Sequence, residues 1–123
     1  MKALVTGATG LIGGNVVNVL MERGHQVKAF VRTSSNVSLL PENVELAFGD
    51  VLDAPSVNVA AKGCDTIFHA AGIFSYWGYE SAIFIDEAKQ AMENIVLAAA
   101  NNSIGKIIFT SSSVTIGASE KQE

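Results

Sequence analysis

Three glycines at intervals of three, Gly7, Gly10 and Gly13, carry the clearest chemical signal in the chain. They lie in the segment Thr6-Gly7-Ala8-Thr9-Gly10-Leu11-Ile12-Gly13, between an apolar run and a helical pattern. In that setting each glycine has a separate task. Gly7 permits a tight turn, Gly10 lets backbone approach a pyrophosphate, and Gly13 lets the helix pack closely on the strand before it. A helix starting here offers unpaired amides and the positive end of its dipole to phosphate. The competing reading is a tight turn without a ligand; its place at the first strand–helix junction favours the phosphate reading.

Further clusters stand at later junctions. Arg32 is followed by three hydroxyl side chains, Thr33, Ser34 and Ser35. A guanidinium among hydroxyls suits a phosphate group, and its competing reading is a solvated surface arginine. Gly49-Asp50-Val51 places a carboxylate after a third apolar run, as an acceptor for a ligand, as the cap of its own loop, or as both. His69 heads His69-Ala70-Ala71-Gly72; flanked by apolar residues, it reads as packed or backbone-bonded rather than as a proton-transfer group. Ser111, Ser112 and Ser113 follow Thr110, as turn residues or as a reactive hydroxyl. The single cysteine, Cys64, forms no internal disulfide and no metal-ligand spacing, so no metal site is expected.

The elements that must hold these clusters alternate in type. Lys2–Thr6, Gln26–Val31, Val44–Phe48, Thr66–His69 and Lys106–Thr110 read as strands. Leu11–Arg23 is a helix with Ile12, Val16, Val19 and Leu20 along one face and Gly24 as its stop. Asp53 followed by Ala54-Pro55 is a helix start, with a carboxylate cap and a proline in the first turn, and that helix runs to about Lys62. From about Ser81 to Asn101, Phe84, Ala88, Ala91, Met92, Ile95 and Ala99 recur at helical spacing. Thr33–Asn43 is a polar loop. Strands apolar on both faces, alternating with helices, make a parallel sheet covered on two sides. Right-handed crossovers then give an α/β, Rossmann-like doubly wound sheet with strand order 3-2-1-4-5, one domain over residues 1–123.

Composition narrows the function. The 123 residues are 49% hydrophobic and 16% charged, which excludes a disordered chain. The formal net charge is −4, with −1 on residues 1–60 and −3 on residues 61–123, and no basic stripe that would bind a nucleic-acid backbone. The longest clean apolar run, Ile95–Ala100, falls far short of the roughly 20 residues that span a bilayer. The opening Met1–Val5 breaks at once into the glycine turn, which leaves no signal-peptide core. Together with the lone cysteine, these features place the chain in a reducing, cytoplasmic setting.

The spacing Gly-x-x-Gly-x-x-Gly differs from the Gly-x-Gly-x-x-Gly of ordinary dehydrogenases. Here the chain resembles the extended short-chain dehydrogenase/reductase family, the epimerase/dehydratase superfamily. Thr6–Gly13 matches its opening motif. Gly49-Asp50 resembles its acidic turn at the adenine, His69-Ala70-Ala71-Gly72 its H-x-A-A segment, and Thr110-Ser111-Ser112 its serine segment. The Tyr76-Trp77 loop and the Thr-Ser-Ser segment look most like the dihydroflavonol-reductase and sugar-epimerase branches. The resemblance implies cofactor contacts from Gly7, Thr9, Gly10, Leu11, Ile12, Gly13, Asp50, Val51, His69, Ala70 and Ala71, and a catalytic Ser112.

The end of the second strand chooses the dinucleotide. An acid there would bond a ribose 2′-hydroxyl and a base would take a 2′-phosphate. Arg32 with its hydroxyl neighbours favours NADP, with NAD as second choice. The family's acid/base is the tyrosine of a Tyr-x-x-x-Lys pair placed after the fifth strand. Tyr76 and Tyr79 both precede that strand, and positions 80 and 83 are Glu and Ile, so the pair is absent. Ala88 also stands where the family's middle helix usually carries an asparagine. The family's C-terminal substrate region, about as long again as this chain, is missing. The expectation is therefore the dinucleotide-binding part of a carbonyl reductase, inactive alone and completed for a small carbonyl substrate by a C-terminal region. The alternatives are a non-catalytic dinucleotide-binding module and a nucleotide-sugar epimerase or dehydratase fragment. Loss of later strands should leave an open edge on strand five, which invites pairing with a second copy.

Overall fold

The computed structural model describes residues 1–72 and 81–112. Tyr76, Trp77, Tyr79 and Ser113 lie outside the described residues. Five parallel strands form one sheet: β1 (Lys2–Thr6), β2 (Gln26–Val31), β3 (Glu45–Phe48), β4 (Thr66–His69) and β5 (Lys106–Phe109). Their order is β3-β2-β1-β4-β5, as the alternation of elements predicts. Three helices connect them: α1 (Leu11–Glu22), α2 (Ala54–Ala61) and α3 (Ser81–Asn101).

Each central strand points alternate side chains into two separate cores. Leu4, Phe30 and Ile67 pack with Val57, Ala60 and Ala61 of α2 and with Ile95, Ala98 and Ala99 of α3. Ala3, Val5, Val27, Ala29 and Val31 pack on the other side with Val17 and Leu20 of α1. β1 is buried on both faces, as expected for a central parallel strand. β5 is half-buried or exposed along its length and, among the described strands, pairs only with β4.

One helical face differs from expectation. Gly13, Val17 and Leu20 are the buried positions of α1, while Ile12 and Val19 are exposed. The cause is the close approach of the helix to the glycine turn. A Cβ at Gly13 would land on the Gly7 carbonyl oxygen, so the helix seats on its smallest residue and rotates Ile12 and Val19 outward. These two side chains line an open, apolar groove with Leu11, Val16 and Phe68.

The helix starts follow their caps. Asp53 accepts from the Ser56 amide at 3.2 Å and Pro55 stands in the first turn of α2. α1 begins differently. Its N-cap is Gly10, no side chain caps it, and no acid occupies its first turn.

Candidate functional site

The carboxyl ends of the strands bring the sequence-predicted residues to one edge of the sheet. That is where ligands bind in open α/β sheets, beside the point at which strand order reverses. Here the reversal lies between β1 and β4. Gly7 follows β1 with φ of +67°, a left-handed conformation that favours glycine. A Cβ on Gly7 would also sit 2.6 Å from the Ala70 carbonyl and the Ala71 amide nitrogen, so the turn lies directly against the segment after β4. Gly10 is different. A Cβ there would meet only the Gly7 carbonyl oxygen, at 3.3 Å, and otherwise open space. Thr9, Leu11 and Ile12 are exposed beside it.

The first amides of α1 have no preceding turn to bond and no side-chain cap. Positive dipole, free amides and a glycine open outward make a cradle for a diphosphate. The structure therefore fits a dinucleotide at the place where the glycine spacing puts it.

The remaining residues fall around this turn. Arg32 is exposed just beyond β2, and a small turn folds back on it: the Ser35 amide donates to the Arg32 carbonyl at 2.9 Å, and the Arg32 amide donates to Ser35 Oγ at 3.2 Å. Asp50 follows β3. Its Oδ1 accepts from the Leu52 amide at 2.9 Å, so it caps its own loop. Val51 is half-buried. His69 ends β4 and is buried, with Nδ1 2.7 Å from Thr6 Oγ1 and its ring stacked on Phe109 at 5.7 Å. Burial holds its pKa below the ordinary histidine value, so the ring is neutral near neutral pH. Ala70 and Ala71 are half-buried against the glycine turn. Ser112 lies exposed three residues beyond β5, on the same edge.

Three polar side chains support the site without having been singled out in the sequence. Ser56 Oγ accepts from the Asp50 amide and donates to the Asp50 and Asp53 carbonyls. It lies so near Gly49 that a Cβ there would be 2.5 Å from Ser56 Oγ. Asn94, buried on α3, donates to the Val51 carbonyl at 2.8 Å. Thr6 was visible as part of the glycine motif, but not as a hydroxyl bonded to His69. A polar residue within an apolar helical stripe is the one signal that could have found Asn94. Ser56 carried none beyond its place in a helix's first turn.

The model of a family described as NAD(P)H-binding matches residues 7–123. This chain belongs to that NAD(P)H-binding family. The match takes in the glycine turn and all four later clusters. A 3 beta-hydroxysteroid dehydrogenase/Delta 5→4-isomerase of Mycobacterium tuberculosis is 36% identical over 125 residues, covering 94% of this chain and 33% of that protein. Cinnamoyl-CoA reductase 1 of Oryza sativa subsp. japonica is 36% identical over 116 residues, covering 88% of this chain and 33% of that protein. A solved UDP-galactose 4-epimerase superposes with a TM-score of 0.86 at 26% identity, covering 98% of this chain and 41% of the other. Relatives named as dehydrogenases, reductases and epimerases are those the motifs anticipated, and the resemblance read from the sequence is borne out. The chain spans about a third of the length of the curated relatives it matches.

Opposite the site, the amino end of the sheet of this NAD(P)H-binding domain is a charged network. Lys2 pairs with Glu45 at 2.7 Å, which holds the Glu45 carboxyl below and the Lys2 ammonium above their ordinary pKa values. Lys28 Nζ is buried, donates to the Ala60 and Lys62 carbonyls at 3.0 Å each and lies 3.7 Å from Glu45. Cys64 is a buried thiol whose pKa burial pushes up, an unreactive packing group. Among the described residues, no helix is long and apolar enough to cross a membrane, and no three metal-ligating side chains converge.

Proposed function

We propose that the chain is the NADP-binding part of a carbonyl oxidoreductase of the dihydroflavonol-reductase type, working in the cytoplasm. The open face of Gly10, at a helix start with no side-chain cap, is the observation that carries the reading. Leu11, Ile12 and Gly13 present first-turn amides to the diphosphate, with Gly7 and Thr9 shaping the turn. Asp50 and Val51 border the adenine, and His69, Ala70 and Ala71 border the nicotinamide side. Arg32, with Thr33, Ser34 and Ser35 beside it, takes the 2′-phosphate through a charge-assisted bond. Bound NADP supplies or accepts the hydride. Ser112 orients a substrate carbonyl oxygen presented by a further region of polypeptide.

A titration with NADPH and with NADH, repeated on Arg32→Glu, tests the cofactor choice. Tighter binding of NADPH, with the preference removed by Arg32→Glu, is the expected result. Equal affinity for both dinucleotides in the wild-type chain overturns it.

A second reading is a dinucleotide-binding module without catalysis. Neither Tyr76 nor Tyr79 has a lysine four residues on. Carbonyl reduction needs a proton donor close to the developing alkoxide, and a serine alone is a poor acid. On either reading the isolated chain oxidises NADPH no faster with aldehydes or ketones than without them. Robust turnover that Ser112→Ala destroys would overturn the module reading.

A further inference from the structure

Asn94 lies on the buried side of α3 with Ala91, Ile95 and Ala98, and is itself 5% exposed. An apolar side chain would fill that position without the cost of burying an amide, so the amide is held there by what it bonds. Outside α3 its bond goes to the Val51 carbonyl, from Nδ2 at 2.8 Å. A carbonyl only accepts, so Nδ2 faces Val51 and Oδ1 faces Gln90. Gln90 Nε2 donates to that oxygen at 3.0 Å, from one turn earlier on the same helix. The polarity of the Asn94 amide is therefore fixed from both sides.

The Val51 carbonyl belongs to a peptide group that is held at both ends. Its other end, the Leu52 amide, donates to Asp50 Oδ1 at 2.9 Å. The group is planar, so two bonds on opposite sides fix its orientation. The backbone of Asp50 is already tied to the first turn of α2. Its amide donates to Ser56 Oγ at 3.2 Å, and its carbonyl accepts from the Asp53 amide at 2.9 Å and from Ser56 Oγ at 3.1 Å. What those bonds leave free is the next peptide group and the carboxylate bonded to it, and Asn94 removes that freedom. We propose that Asn94 is a positioning residue for the adenine end of the dinucleotide: its bond to the Val51 carbonyl sets the Val51–Leu52 peptide group and, through the Leu52 amide, the direction of the Asp50 carboxylate, so that α3 tunes recognition of the base. The role in binding rests on the reading that puts Asp50 and Val51 at the adenine; the clamp on the peptide group does not.

Carbon-13 and amide-exchange spectra of the 123-residue protein read the clamp without any ligand. In Asn94→Leu, which keeps the branching at Cγ without the donor, the Val51 carbonyl resonance should move upfield and exchange at the Leu52 amide should quicken about tenfold. Wild-type values for both overturn the proposal. Asn94→Ala, a strong helix former with no reach to Val51, should give the same pattern, so that a misfit of the larger leucine does not decide the outcome. The binding role is read by titrating NADPH and its hypoxanthine analogue, which differs from NADPH at the base alone. Wild type should prefer NADPH. Both variants should weaken NADPH about tenfold and leave the analogue within about a factor of two, so that the preference collapses. Equal losses for the two dinucleotides would mark a general loss of structure and contradict the positioning role. If wild type bound neither dinucleotide, the dinucleotide reading would fall and the binding role with it, while the Val51 carbonyl resonance would still decide the clamp.

Discussion

The two ends of the sheet use polar groups in opposite ways. At the amino end, charges are matched. Lys2 and Glu45 pair, Lys28 ties the last turn of α2 to the sheet, and Asp65 accepts from the Lys2 amide at 2.6 Å. At the carboxyl end, a helix starts without a cap, two glycines leave no room for any side chain, and a third faces outward. A structural role satisfies its groups inside the chain. A binding role leaves backbone donors for a ligand to satisfy. The contrast locates the site by the groups that are left unsatisfied, whereas the open groove along the outer flank of α1 is apolar.

The largest expected effect tests the glycines that have no room. Gly13→Ala drives a methyl group into the Gly7 carbonyl, backbone against backbone, and should destabilise the fold by about 3 kcal/mol, the upper part of the usual overpacking range. Thermal or urea unfolding measures it, and a neutral result would mean that α1 is not seated on the turn.

Lys28→Met tests the matched end. It strips two carbonyls of a buried donor and should cost about 1–3 kcal/mol, while leaving dinucleotide affinity unchanged. A loss of affinity without a loss of stability would erase the division between the two ends.

Acid should act on the carboxyl end through His69. Its folded pKa lies below the ordinary 6.5, so between that value and 6.5 the unfolded chain binds more protons than the folded one. The stability contributed by the neutral ring is fully present above pH 6.5 and is lost as pH falls toward the folded pKa. Denaturation midpoints of wild type and His69→Phe across this range should converge in acid. Parallel curves would show that His69 titrates normally.

Much of this was legible from residue order. β1, β2 and β4, and the long α3, fall on the residues their patterns imply, because apolar runs ending in glycine or a capping residue leave little choice of boundary. The strand order followed from alternation and crossover handedness. The glycine turn was legible because the spacing assigns each glycine its own task, with Gly7 and Gly13 packed against backbone and Gly10 left open. What stayed hidden depends on which distant element a side chain meets. Lys28 interrupts an apolar strand, and only register with Glu45 and the nearby end of α2 shows it to be satisfied. Asn94 looks like a flaw in a helical stripe until it reaches Val51 across the interface. Ile12 and Val19 have core-like spacing, yet the seat of Gly13 turns them outward.

The most direct test of the central claim is a calorimetric titration of the wild-type chain and of Gly10→Val with NADPH, with unfolding curves for both. A Cβ at Gly10 meets one carbonyl at 3.3 Å, which a shift of a few tenths of an ångström relieves, so the fold should survive nearly intact. The valine side chain would fill the space in front of the α1 amides where a diphosphate must lie. The account predicts measurable binding to the wild type and none to Gly10→Val at nearly equal stability. Unchanged affinity in the variant would contradict the assignment of the Gly7–Gly13 turn as the phosphate site.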